Sequence, residues 1–151
     1  MKVYIREISE EEYKNKNLSV LFDDQISDRT FAILTNDEDI FKMGWQSTDI
    51  SPSLINLTDR IFAIGVDLNF VIIDISTKKA LMRIKLNYFF YEFKIIDNIL
   101  LVITELEIIK VNIVNFQIDE KYALSDFFET IETINKRILV KTVDGNLINI
   151  G

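Results

Sequence analysis

Ile61-Phe62-Ala63-Ile64-Gly65, Val66-Asp67-Leu68-Asn69, Phe70-Val71-Ile72-Ile73-Asp74 is two apolar runs, rich in β-branched and aromatic residues, on either side of a short polar connection. That pattern is a β-hairpin. It recurs as Ile99-Leu100-Leu101-Val102-Ile103, Thr104-Glu105-Leu106-Glu107, Ile108-Ile109-Lys110-Val111-Asn112. It recurs again as Ile138-Leu139-Val140-Lys141-Thr142, Val143-Asp144-Gly145-Asn146, Leu147-Ile148-Asn149-Ile150. The copies start 38 and then 39 residues apart. A period of about 40 residues is the size of a four-stranded β unit, repeated because one unit cannot bury its apolar face alone.

Working outward, Ser76-Thr77-Lys78-Lys79 makes a turn after the first hairpin, and Ala80–Leu86 alternates around Arg83 and Lys85 as a third strand. Tyr88-Phe89-Phe90-Tyr91-Glu92-Phe93 opens the next unit, with one set of its rings in the core and both faces expected to be buried. After the second hairpin, Phe116–Tyr122 repeats the outer strand, and residues 126–133 lead into the third copy. Asp144-Gly145 is its turn, because glycine accepts the positive φ that such turns demand. A weaker copy precedes these: Asp28-Arg29-Thr30-Phe31-Ala32-Ile33 resembles Asp59-Arg60-Ile61-Phe62-Ala63-Ile64 at an offset of 31. Residues 10–17 read as a loop or short helix, and residues 46–53 as a loop.

The expected fold is therefore all-β: antiparallel repeats of about 38 residues in an incomplete or small propeller-like array, with a two-sheet β-sandwich as the alternative. One domain is expected over residues 1–151, comprising a weak repeat at 28–53 and clearer ones at 54–93, 94–133 and 134–151, the last truncated. The motif from Ile61 through Asp74 to the Ala80-Leu81-Met82-Arg83-Ile84 strand resembles a blade of the WD40 and PQQ-type β-propellers. The Gly-His and Trp-Asp dipeptides of WD40 repeats are absent.

Composition narrows the chemistry. There is no His and no Cys, which removes the commonest general base, the commonest zinc ligand and all thiol chemistry. With only four Gly, no phosphate-cradling loop can be written. Asp37, Glu38 and Asp39 lack the following Gly that a calcium loop needs for its turn. Asp67, Glu105 and Asp144 occupy the three hairpin connections, and repeat symmetry puts them at one end of the array. Paired carboxylates cleave glycosides when one is held protonated, but acids in turns are usually there for solubility and turn geometry. No catalytic residue, metal or cofactor is expected, and the chain is not expected to be an enzyme.

The net charge is −7; residues 1–60 hold twelve acids and seven bases. An acidic field disfavours direct nucleic-acid binding and favours a basic partner. The N-terminus reaches charge too early for a signal peptide, and no apolar run is long enough to cross a membrane, so a cytoplasmic protein without membrane attachment is expected.

In size, acidity and lack of catalytic residues, the chain resembles the small immunity proteins of bacterial contact-dependent growth inhibition and polymorphic toxin systems. That resemblance implies a protein-binding inhibitor that covers the basic active site of a cognate toxin, a nuclease in many such systems. Candidate contacts are then Asp23, Asp24, Asp28, Asp37, Glu38, Asp39, Asp119 and Glu120, with Trp45 and Tyr88 as apolar anchors. The alternatives are a propeller-like scaffold that joins a larger complex or closes on itself as a homodimer, and a carbohydrate-active propeller with a pocket of carboxylates and aromatics.

Overall fold

Fifteen strands and one short helix, drawn from the described residues 2–151 of the computed structural model, fall into four small sheets. Four sheets rather than two set aside the sandwich. The chain divides into two units, Met1–Asn87 and Tyr88–Gly151.

The first unit holds β1 (Tyr4–Ile8), α1 (Glu10–Asn15), β2 (Ser19–Asp23), β3 (Thr30–Thr35), β4 (Asp39–Trp45), β5 (Ser53–Asn56), β6 (Ile61–Val66), β7 (Asn69–Asp74) and β8 (Lys79–Lys85). The hairpin of residues 61–74 is β6–β7, and its sheet runs β5-β6-β7-β8, antiparallel throughout. Both middle strands are buried along their whole length, so they read as unbroken apolar runs. The outer strand β8 alternates between exposed and half-buried positions, as a strand with one wet face does.

The weak copy supplies the hairpin β3–β4, but its flanking strands both come from earlier in the chain. The sheet order is β1-β3-β4-β2, with β2 parallel to β4, so this sheet departs from the antiparallel expectation. No strand follows β4 in its own sheet. A seven-residue strand such as β8 is thus missing from this repeat, which accounts for an offset of 31 rather than 38. Leu34, Phe41, Met43 and Trp45 pack with Ile64, Val66, Val71 and Ile73 of the second sheet. Each such side chain contributes roughly 1.5–3 kcal/mol on leaving water.

Helix α1 covers the other face of the first sheet. Ser9 caps it by accepting the Glu12 amide at 3.1 Å. Tyr13 is buried with its ring centroid 4.6 Å from that of Phe31, and Lys42 Nζ donates to the Tyr13 and Lys16 carbonyls at 2.9 Å.

The second unit holds β9 (Phe90–Ile96), β10 (Ile99–Thr104), β11 (Glu107–Asn112), β12 (Gln117–Ala123), β13 (Phe128–Ile134), β14 (Arg137–Thr142) and β15 (Leu147–Asn149). Its sheets run β12-β11-β10-β9 and β13-β14-β15. Leu101, Ile103, Ile108, Phe128, Ile138 and Val140 form their shared core.

The 38-residue period is repeated bond for bond in the backbone. Leu86 N–H donates to the Leu68 carbonyl and Leu124 N–H to that of Leu106; Ile75 N–H donates to Arg60 and Ile113 N–H to Asn98. Asp74 Oδ1 accepts the Ser76 amide at 2.9 Å, and Asn112 Oδ1 accepts the Val114 amide at 2.8 Å. Lys78 and Phe116 both take φ of 57°, while Asp97 and Asn135 take 53° and 48°. These are the turn positions where Asx side chains and left-handed backbones replace ladder bonds. Gly145 has φ of 87°, as the turn required.

Candidate protein-docking face

The acids of the first unit are largely engaged within it. Asp23 pairs with Arg29 at 2.7 Å and accepts the Tyr13 hydroxyl at 2.9 Å. Asp24 accepts Lys85 Nζ at 2.6 Å, Asn69 Nδ2 at 3.1 Å and the Gln46 amide at 3.0 Å. It thereby ties the two sheets of this unit together. Asp39 meets Lys16 at 2.9 Å, and that hydrogen bond holds its carboxyl below the ordinary carboxylate range. Glu38 pairs with Lys78 at 2.7 Å between two exposed side chains. Asp28 is exposed, and so is Asp37, which takes φ of 81° in the β3–β4 turn. Asp23, Asp24 and Asp39 are thus engaged in ion pairs and hydrogen bonds within the unit.

Trp45 corrects the sequence reading more sharply. It is 2% exposed, and its Nε1 donates to the Ile50 carbonyl at 2.9 Å, so it is a core residue and no anchor. The polar residues around it in sequence belong to the loop that closes over it. Asp67 is also buried, accepting the Ser47 amide at 2.8 Å and hydroxyl at 2.7 Å. A groove of about 300 Å³ between β1 and β5 is lined by Tyr4, Glu7 and Leu54 among others, with Glu7 its single carboxylate. It offers no acid pair of the kind that cleaves glycosides.

The second unit is different in kind. Residues 88–151 hold ten acids and six bases, against fourteen and eleven in residues 1–87. Among the described residues of this unit one ion pair forms, Lys141–Glu129 at 3.9 Å. Its charge is therefore available to solvent. Asp119 and Glu120 lie exposed on β12, at the opposite edge of its sheet from β9. Burial first and Glu120 second push the neighbouring Tyr122 hydroxyl up to about 12.

At the hairpin end of this unit, backbone bonds line up a row of exposed apolar side chains. Glu105 N–H donates to the Phe89 carbonyl at 3.0 Å, and the Glu105 carbonyl accepts Phe128 N–H at 2.8 Å. Val143 N–H then donates to the Phe127 carbonyl at 2.9 Å. Phe89, Phe127 and Val143 are 41%, 50% and 55% exposed, and Tyr88 stands beside them, also exposed. Both faces of the 88–93 run were expected to be buried; instead Tyr88 and Phe89 precede β9 in a loop, and Tyr91 is exposed against the ring of Phe128, with centroids 5.3 Å apart.

Acids border the row. Glu105 is part of it, Asp126 adjoins Phe127, and Asp144 follows Val143. Asp144 accepts Thr142 Oγ1, Ser125 Oγ at 3.1 Å and Asn146 Nδ2 at 2.9 Å; the Thr142 bond leads in holding its carboxyl below the usual range. The loop is thus pinned to the turn, and the row is presented with little freedom to collapse. Of the sequence candidates only Tyr88 belongs to this face. Phe127 and Val143 were missed, although Phe127 sits 38 residues after Phe89 and the period itself marks the pair.

No protein-family profile and no curated protein sequence matches the chain. Solved structures do match in shape. The computationally designed Ika4 protein is 12% identical, with 88% of each chain covered and a TM-score of 0.55. Saccharomyces cerevisiae Sqt1 is 12% identical over 85% of this chain, with a TM-score of 0.57, and the chain spans 43% of its length. The WD40 domain of Neurospora crassa Pan2 is 9% identical over 83% of this chain and 44% of its own, with a TM-score of 0.43. At such identities the likeness concerns the fold alone: all-β, in small, mostly antiparallel, propeller-like sheets.

Proposed function

We propose that this chain is a protein-binding module whose docking face is the Tyr88–Phe89–Phe127–Val143 row, and that its partner presents a basic, partly apolar surface. The carrying observation is the exposed aromatic row fixed by the Phe89–Glu105–Phe128 and Phe127–Val143 backbone bonds. Exposed rings on a braced backbone are the usual anchors of protein interfaces, because little side-chain entropy is lost when they dock. The acid excess of the same unit supplies steering toward a cationic surface.

Within this reading, the partner is a bacterial toxin, a nuclease whose basic cleft the module covers in the cytoplasm. Tyr88, Phe89 and Phe127 would fill the apolar part of that cleft, while Glu105, Asp126 and Asp144 take the place of substrate phosphates. The test is co-expression with the product of the neighbouring gene, which this reading expects to be a toxin domain. Cells carrying both are expected to survive, and cells carrying the toxin with the Phe89→Ala/Phe127→Ala variant to die. Equal survival with that variant overturns the assignment of the face. The propeller-like fold fits a second, more general reading, a generic interaction scaffold.

A further inference from the structure

One acid of the first unit sits where its neighbours in the row are apolar. In the β1–β3 ladder Ile5 lies opposite Leu34 and Glu7 opposite Ala32. Partners in a ladder share a face, so Ile5 and Glu7 both stand on the side of Ala32 and Leu34. Ala32 and Leu34 are fully buried in the core of this unit, and Ile5 packs against that core. Glu7 takes the next position of the row with a carboxylate. Among the described residues that carboxylate has no hydrogen bond and no ion pair. Arg6 belongs to the opposite face, where it meets Glu12 at 3.4 Å and Asp39 at 3.8 Å.

Glu7 lines the groove between β1 and β5, whose floor is apolar. Trp45 and Ala32 are 2% and 0% exposed there, with Ile5, Pro52 and Leu54 around them. The Trp45 indole N–H is already given to the Ile50 carbonyl. Among the described residues no Lys or Arg lines the groove. Its volume of about 300 Å³ is at the lower end of the roughly 300–1,000 Å³ of small-molecule sites. An apolar trough with one free carboxylate and no base complements an ammonium head on an apolar stem. The stem leaves water against Trp45 and Leu54, and the head makes a charge-assisted hydrogen bond to Glu7.

We infer that this groove binds a small primary amine on an apolar stem, with Glu7 accepting the ammonium protons and Trp45 and Leu54 covering the stem. The site lies in the first unit and goes beyond the protein-binding reading, which uses the second. An inward charge can also serve to blunt an edge strand, and β1 is at an edge of its sheet. That role needs the charge but no ligand, and the two are separated by titration with an amine.

Trp45 is the single tryptophan of the chain, so its fluorescence reports events at this groove. The probe is hexylammonium chloride, titrated into the full chain at neutral pH and constant ionic strength. Hexanol, the uncharged stem, and Nα-acetyl-lysine N-methylamide, a lysine side chain on a blocked backbone, are the comparisons. A saturable change in Trp45 emission is expected at roughly millimolar amine, as for a fragment-sized ligand, and none from hexanol at the same concentration. Glu7→Gln, at an exposed position, is expected to weaken hexylamine binding roughly tenfold, and Glu7→Lys to abolish it. The emission of each variant without amine checks that Trp45 stays buried. No saturation, an equal response to hexanol, or unchanged affinity in Glu7→Gln overturns the inference. Tighter binding of the blocked lysine than of hexylamine makes the occupant a peptide side chain and overturns it as well.

Discussion

Phe127 gives its carbonyl to the Val143 amide at 2.9 Å while its ring remains half in solvent. The backbone contact fixes the loop before β13 to the turn after β14, and the ring contributes little to the core. Phe127→Ala keeps that backbone bond, so thermal denaturation of the variant is expected to lie within about 2–3 °C of the parent, as for a surface substitution worth about 0.5 kcal/mol or less. A drop of ten degrees or more would show that the ring is structural.

Charge at the row should act on association. Asp126→Lys is expected to slow binding of the proposed basic partner by roughly tenfold at low salt, with the difference shrinking as salt is raised to about 0.5 M. Stopped-flow association rates over a salt series measure this. An unchanged rate and an unchanged salt slope would remove electrostatic steering from the account.

Asp24 should act on stability. Its loss strands Lys85, Asn69 and the Gln46 amide, which it now joins. Asp24→Ala is expected to cost about 2 kcal/mol, in the range for a buried polar group left without its partner. The urea midpoint reads it, and a midpoint equal to the parent's would contradict the assignment.

Asp39, Asp74 and Asp144 all have carboxyls held below the ordinary range by hydrogen bonds, from Lys16, Ser76 and Thr142 respectively. Each is stabilising above its unfolded pKa of about 4, and that stability is lost as pH falls through the lower folded value. Tyr122 works in the opposite sense. Its folded pKa is about 12 and its unfolded one about 10, so the folded chain holds the proton more tightly. Stability is expected to decline between those two values, and Tyr122→Phe should flatten that alkaline limb. Denaturant midpoints against pH test both ends, and a variant with an unaltered alkaline slope would refute the role of Tyr122.

The hairpins were legible because strands buried on both faces leave long apolar runs, as in Ile61–Val66 and Ile99–Thr104. The first sheet was legible only in part. Its β3–β4 hairpin showed in sequence, but β1 and β2 reach it from the N-terminal side through long-range pairing that no local pattern encodes. The acids misled for a related reason: Asp23 and Asp24 are adjacent in sequence, and their partners Arg29, Asn69 and Lys85 are supplied by the fold. Trp45 lay among polar neighbours that turned out to be its lid. Tyr88 was visible as part of an aromatic run, whereas Phe127 and Val143 gain their meaning from three backbone bonds.

The most direct test of the docking face is the affinity of the full chain for the toxin partner proposed above, measured by calorimetry with the parent and with Phe89→Ala/Phe127→Ala. Two interface anchors lost together should weaken binding by at least about 100-fold, with the melting temperature nearly unchanged. Equal affinity in a variant that is folded would contradict the account and place the interface elsewhere on the chain.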